Sequence, residues 1–187
     1  MAGVPTAGVQ TPEAVLAFWR AAGAEKWFTK SDTFDSDIRT QFLATYEAAA
    51  AGKLANWEAQ PESTLALLIV LDQFPRNMFR NDARTYATDP LALAIAERAI
   101  AKGFDGKIAQ GERQFVYLPF EHSERLADQD RAVALFKATG DAELLKWAEL
   151  HADIVRRFGR FPHRNAMLGR TTTAEEQAFL DSGGFKG

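Results

Sequence analysis

The chain has 187 residues, of which 47% are hydrophobic and 25% charged, with a formal net charge of −3 and no cysteine. That length and mixture describe a globular chain able to bury its own core, and they exclude a disordered or low-complexity protein. The charge removes any global drive toward nucleic acid or acidic membranes, and the missing cysteines exclude disulfides, thiolate nucleophiles and cysteine-based zinc sites.

A cysteine-free composition fits a reducing cytoplasm. Residues 1–10 carry no basic side chain and no continuous apolar run, so they do not read as a secretory leader; they are expected to be a flexible N-terminus. The longest apolar run, Leu65 to Leu71, is too short to span a bilayer. One domain over residues 1–187 is expected.

Helix signals recur along the whole chain. Thr11 caps a first helix that has Pro12 at its first position and runs into Phe18-Trp19. The polar stretch Ser31 to Asp37 opens a second, whose apolar positions Ile38, Phe42, Leu43 and Tyr46 follow helical spacing and which Gly52 ends. Trp57 falls in the next loop or short turn. Pro61-Glu62-Ser63-Thr64 starts a third helix that runs to about Phe74; its middle is apolar nearly all round, which places it at the centre of the core. Asp89-Pro90 starts a fourth, stopped by Gly103. A fifth is expected from about Gln110 to Leu126, and a sixth from Asp128 or Gln129 to Gly140. Asp141 caps a seventh that runs to Phe158 with Gly159 as its stop, and Thr173-Ala174-Glu175-Glu176 is a capping box for a last short helix. No stretch alternates with period two between turns, so no sheet is expected. Pro90 to Phe104 has the small-residue spacing of a tetratricopeptide helix, but a clean repeat of about 34 residues is missing.

Polar chemistry is concentrated in three stretches. Asp72-Gln73-Phe74-Pro75-Arg76-Asn77 and Arg160-Phe161-Pro162-His163-Arg164-Asn165 echo each other, setting arginine and asparagine after a Phe-Pro pair. Between them lies Tyr117-Leu118-Pro119-Phe120-Glu121-His122-Ser123-Glu124. These three motifs, in this order, resemble a bacterial family known as domain-of-unknown-function family 924. Phe18-Trp19, Trp27-Phe28 and Leu168-Gly169-Arg170 with Glu176 are also similar to it, and the resemblance runs from about Val15 to Leu180. It implies an all-α fold, a tetratricopeptide-like array of helical hairpins in one compact domain, and implies no reaction.

The residues themselves allow more to be said. Leu65, Leu68, Ile69 and Asp72 share a helical face, so Asp72 points toward the core and needs a partner. Arg76 lies four residues on. Between them Pro75 removes a backbone donor, kinks or ends the helix, and leaves a carbonyl near Leu71 in want of another partner. If Pro119 only kinks its helix, His122 shares a face with Phe115, Leu118 and Leu126, and Glu121 can pair with Arg125. His151 lies on an apolar face with Leu144, Trp147 and Phe158, so the two histidines can border one cavity. His151 to Arg170 holds five arginines against one acid, a balance of +4, while Glu121 to Asp130 holds four acids against one arginine, a balance of −3. Either the two segments neutralise each other, or the arginines form an anion-binding corner, since guanidinium forks suit carboxylate and phosphate.

Known nucleophile elbows, phosphate loops and dinucleotide fingerprints are absent. Asp32 to Asp37 lacks the glycine and closing glutamate of a calcium loop and reads as helix capping. No metal or cofactor is expected. The leading reading is a pocket for a small anionic molecule, lined by Arg76, Asn77, Glu121, His122, His151, Arg160, His163, Arg164 and Asn165, with His122 and His151 as candidates for acid–base work. The competing reading is a tetratricopeptide-like module that binds a peptide or protein, with the polar motifs serving as structural locks. Neither involves nucleic acid or a membrane.

Overall fold

The structure, a computed structural model, describes residues 8–185. Of the expected flexible segment 1–10, residues 1–7 lie outside the described residues, and the amide of Gln10 donates to Thr45 Oγ1 at 2.8 Å. The protein is all-α, and among the described residues there is no strand. The helices are α1 (Pro12–Ala22), α2 (Ala24–Trp27), α3 (Asp32–Ala50), α4 (Pro61–Leu68), α5 (Phe74–Met78), α6 (Asp89–Ala101), α7 (Gln114–Glu121), α8 (Leu126–Thr139), α9 (Ala142–Phe158) and α10 (Ala174–Asp181). None of the described helices is long and apolar enough to cross a membrane. The contacts divide the chain into two compact units, one running up to Arg80 and including Arg84–Pro119, the other comprising Asn81–Ala83 and everything from Phe120 on.

In the first unit α1 packs on α4, α3 on α5, and α4 on α6. Thr11 and Ser31 cap α1 and α3 through their side-chain oxygens, as the sequence signals predict. Trp19, Phe34, Phe42, Phe74 and Phe115 are all buried and meet through ring contacts. Trp27 stacks on Trp19 with centroids 5.9 Å apart and donates its indole N–H to Trp19 O at 2.7 Å.

At the first Phe-Pro motif the helix neither ends nor breaks. Ile69–Gln73 forms a π turn between α4 and α5, and Phe74 donates its N–H to Ile69 O, one residue further back than in an α-helix. Pro75 is thereby carried within a continuous helical path. The carbonyl that proline orphans finds a partner at long range: Thr88 Oγ1 donates to Leu71 O at 2.6 Å. The next carbonyl, Asp72 O, accepts from Arg76 Nη1 at 2.6 Å. Thr88 precedes α6, yet its hydroxyl serves the π turn and makes no cap of its own helix. Thr88→Val should therefore leave a buried carbonyl unpaired and lower stability by about 1–3 kcal/mol. A urea midpoint equal to wild type would contradict this.

The expected fifth helix is shorter than its apolar pattern suggests. α7 stops at Glu121 and includes Pro119. The chain then turns through His122–Arg125 before α8 begins at Leu126. Polar groups fix that turn. Gln129, fully buried, donates from Nε2 to Glu121 O and to Ser123 O, both at 2.6 Å, and Ser123 Oγ donates to Asp128 Oδ2 at 2.6 Å. Asp128 and Gln129, expected to open α8, instead brace the chain that enters it. His122 consequently lies outside the helix, and the helical face expected to join it to Phe115 and Leu118 does not exist. In the rest of the second unit α8 and α9 pack on each other across the turn at Gly140, and α10 packs on the short 3-10 turn Pro162–Arg164. Asp141 caps α9, and Gly159 ends it in the left-handed conformation at φ 70°, which a residue with a Cβ rarely adopts.

Candidate functional site

In the first unit, the polar residues after Phe74-Pro75 are committed to carboxylates of the same chain. Arg76 holds Asp89 with a bidentate fork, Nη1 and Nη2 lying 2.9 and 3.0 Å from its two oxygens, and Nη1 lies 3.5 Å from Asp72 Oδ1. Burial works against its charge, but Asp89 and Asp72 outweigh that and hold its pKa above the usual arginine value. Asp72 is fully buried and also accepts from Gln73 Nε2 at 2.6 Å. Asn77 Nδ2 donates to Asp35 Oδ1 at 2.8 Å, and Arg80 holds the same carboxylate.

In the second unit, the third motif is wired from below by two ion pairs. Arg160 grips the buried Glu176 with Nε and Nη2 at 2.6 and 2.9 Å. Glu176 closes the capping box of α10 by accepting from Thr173 N at 2.8 Å, and it also accepts from Asn165 Nδ2 at 3.2 Å. The bonds from Arg160 are the main reason that its carboxyl is held down at about 2. Arg170 grips Glu124 with Nη1 and Nη2 at 2.7 and 2.9 Å, and Glu124 also accepts the amide of Phe161 at 2.8 Å. Burial pushes the Glu124 carboxyl up, but Arg170 and that amide outweigh it and leave it below the usual range. Arg156 and Arg157 pair with Asp130 and Glu175. The local positive balance is therefore largely met by carboxylates, two of them outside the acidic segment that the sequence offered as counterweight.

Phe161, fully buried, is the hub of what remains. His151 meets its ring edge-on at 5.5 Å, His163 lies 5.7 Å away, and the guanidinium of Arg164, itself buried, lies 4.4 Å from the ring centre. Behind His151 stands Glu121, the last residue of α7, with Oε1 3.2 Å from Nδ1. The same Nδ1 lies 2.8 Å from Trp147 O, one turn back along α9. A backbone carbonyl can only accept, so Nδ1 carries a proton, and exchange at this imidazole falls to Nε2. Glu121 is thus spent on His151, and the Arg125 proposed as its partner lies 3.6 Å from Asp128 instead. Two open hollows lie elsewhere, one of about 270 Å³ beside Pro12, Arg20 and Glu62, the other of about 410 Å³ beside Asp130, Glu149 and Arg156.

The sequence nominated His151, His163 and Arg164 without showing that they share the Phe161 ring, and Glu121 without showing that it stands behind His151. It missed Glu124 and Glu176 as the anchors of the arginines, although Glu124 stood in the second motif and Glu176 in the capping box. It also missed Phe185, whose ring stands edge-on to His151 with centroids 4.6 Å apart and which no pattern marked.

The pattern of a family described as "Bacterial protein of unknown function (DUF924)" matches residues 15–184. The chain belongs to that family. It is similar to a solved structure, that of the protein of unknown function ATU0120 from Agrobacterium tumefaciens, with 46% identity over 91% of this chain and 97% of that one and a TM-score of 0.89. No curated protein matches. All the nominated residues lie within the span shared with the family, and Phe185 falls one position beyond it.

Proposed function

We propose that this family member binds a small anionic molecule at the corner around Phe161, with His163 and Arg164 facing the anion and His151 giving or taking a proton. What carries the reading is the convergence of His151, His163 and Arg164 on one buried ring, with Glu121 holding His151 from behind. The Glu121 carboxylate at Nδ1 orients the imidazole, which suits a general acid or base. In this reading Arg160 and Arg170 build the corner and do not touch the ligand, because their forks hold Glu176 and Glu124. The cysteine-free composition suits a cytoplasmic site.

The test is a thermal-shift screen of phosphate esters, carboxylates and sulfate at fixed ionic strength, which separates specific binding from screening. At a hundredfold excess over its dissociation constant, a matching anion stabilises the fold by about 2.7 kcal/mol, or roughly 5–10 °C for a chain of this size. The shift should vanish in Arg164→Ala or His163→Ala. No shift for any compound, or equal shifts in wild type and variants, would overturn the reading.

A second reading is the interaction module, tetratricopeptide-like in its helical hairpins. Its support is the exposed pair Trp147 and Leu150, three residues apart on α9. Here the arginine pairs serve only as locks, and no small anion shifts the melting temperature.

A further inference from the structure

Phe185 packs against both histidines of the Phe161 corner. Its ring stands edge-on to His151 with centroids 4.6 Å apart, edge-on to His163 at 5.3 Å, and 6.4 Å from Trp147. It joins the apolar cluster of Ile154, Val155 and Phe161. The same phenyl ring therefore covers both histidines of the corner at once.

The path that brings it there is specified by the chain. After α10 the backbone reverses at Gly183, at φ 84°. Gly184 then passes flat against Phe179, donating its N–H to Phe179 O at 3.0 Å. A Cβ at position 184 would meet that oxygen at 2.5 Å and two carbons of the Phe179 ring at 2.7 Å. The closest of these neighbours is backbone, so it has little freedom to give way. Only glycine lets the chain run this close, and the close passage is what delivers Phe185 to the histidines.

We infer that Phe185 is a tethered plug, which fills an aromatic slot over His151 and His163 and must swing out before the corner binds anything. The inference rests on the reading of that corner as a ligand site and adds its regulation. A side chain carried a few residues along the same chain has an effective concentration on the order of millimolar. A free ligand must therefore outcompete its own protein's phenylalanine, and ligands with both a ring and an anionic group are best placed to do so. The ring replaces Phe185 between the imidazoles while the anion meets Arg164.

The test needs no ligand. In the full chain, carbethoxylation of each histidine by diethyl pyrocarbonate is followed by peptide mass spectrometry in wild type, Phe185→Ala, Phe185→Leu and Gly184→Ala. Rates at His151 and His163 should rise several-fold in Phe185→Ala and Gly184→Ala and stay near wild type in Phe185→Leu, which keeps an apolar cover. His122, in the turn after α7, is the internal reference and should not change. Unchanged rates at His151 and His163, or an equal rise at His122, would overturn the plug. The anion screen is then repeated on Phe185→Ala with phenylacetate and inorganic phosphate. Open histidines that bind neither probe would sink the ligand site while leaving the plug standing, whereas closed histidines would sink the plug whatever the screen shows.

Discussion

Glu176→Ala should destabilise the protein by roughly 3 kcal/mol, because one buried carboxylate serves several donors and its loss orphans them together. Arg160, the amide of Thr173 and the side chain of Asn165 all converge on it. Arg160 remains partly exposed and can turn to water, but Asn165 is fully buried and cannot. The pH dependence has a defined sign. The carboxyl stands at about 2 in the fold against an ordinary 4.5, so its contribution is complete above about 4.5 and is lost as pH falls toward 2. Urea midpoints from pH 6 down to pH 2 should slope less steeply in Glu176→Gln than in wild type. Parallel curves would show that Glu176 does not carry the acid sensitivity.

Asp72→Ala should be of similar size, about 3 kcal/mol. The sequence alone suggests a buried arginine losing its sole partner. The structure gives Arg76 a second and better one in Asp89, so the arginine is not stranded. The cost lies instead with Gln73, whose buried amide group donates to Asp72, and with the space left in a fully buried position. Asp72→Ala and Asp89→Ala should therefore be coupled: the double variant loses more than the sum of the two, since only then is Arg76 deprived of both carboxylates. A double-mutant cycle in urea that closes additively would refute a shared arginine.

Much of the fold was legible because helix ends are local. Thr11, Ser31, Asp141 and the Thr173–Glu176 box announce their helices within four residues, and a glycine stop such as Gly159 needs no distant information. The end of α7 was not legible. His122 and Leu126 continue the apolar spacing of Phe115 and Leu118, and what breaks the helix is Gln129 reaching back to the carbonyls of Glu121 and Ser123. The candidate site was half legible for the same reason. Motif composition pointed to His151, His163 and Arg164, but not to which arginines were already engaged. Glu124 and Arg170 are 46 positions apart, and no periodicity links them. Phe185 gave no signal, since one aromatic after two glycines looks like any loose end.

The π turn at Ile69–Gln73 has a bearing on lineage as well as on packing. A turn closed by a bond to the fifth residue back holds one residue more than an α turn, which is what a single-codon insertion into an ordinary helix would leave behind. Each residue of an α-helix advances the side-chain direction by about 100°. Removing one residue from this stretch would thus rotate Phe74 away from its aromatic neighbours and Arg76 away from Asp89, while the backbone became more regular. Relatives of this chain should tolerate substitutions along the stretch far better than a change in its length, because its length sets the angle between everything before and everything after it.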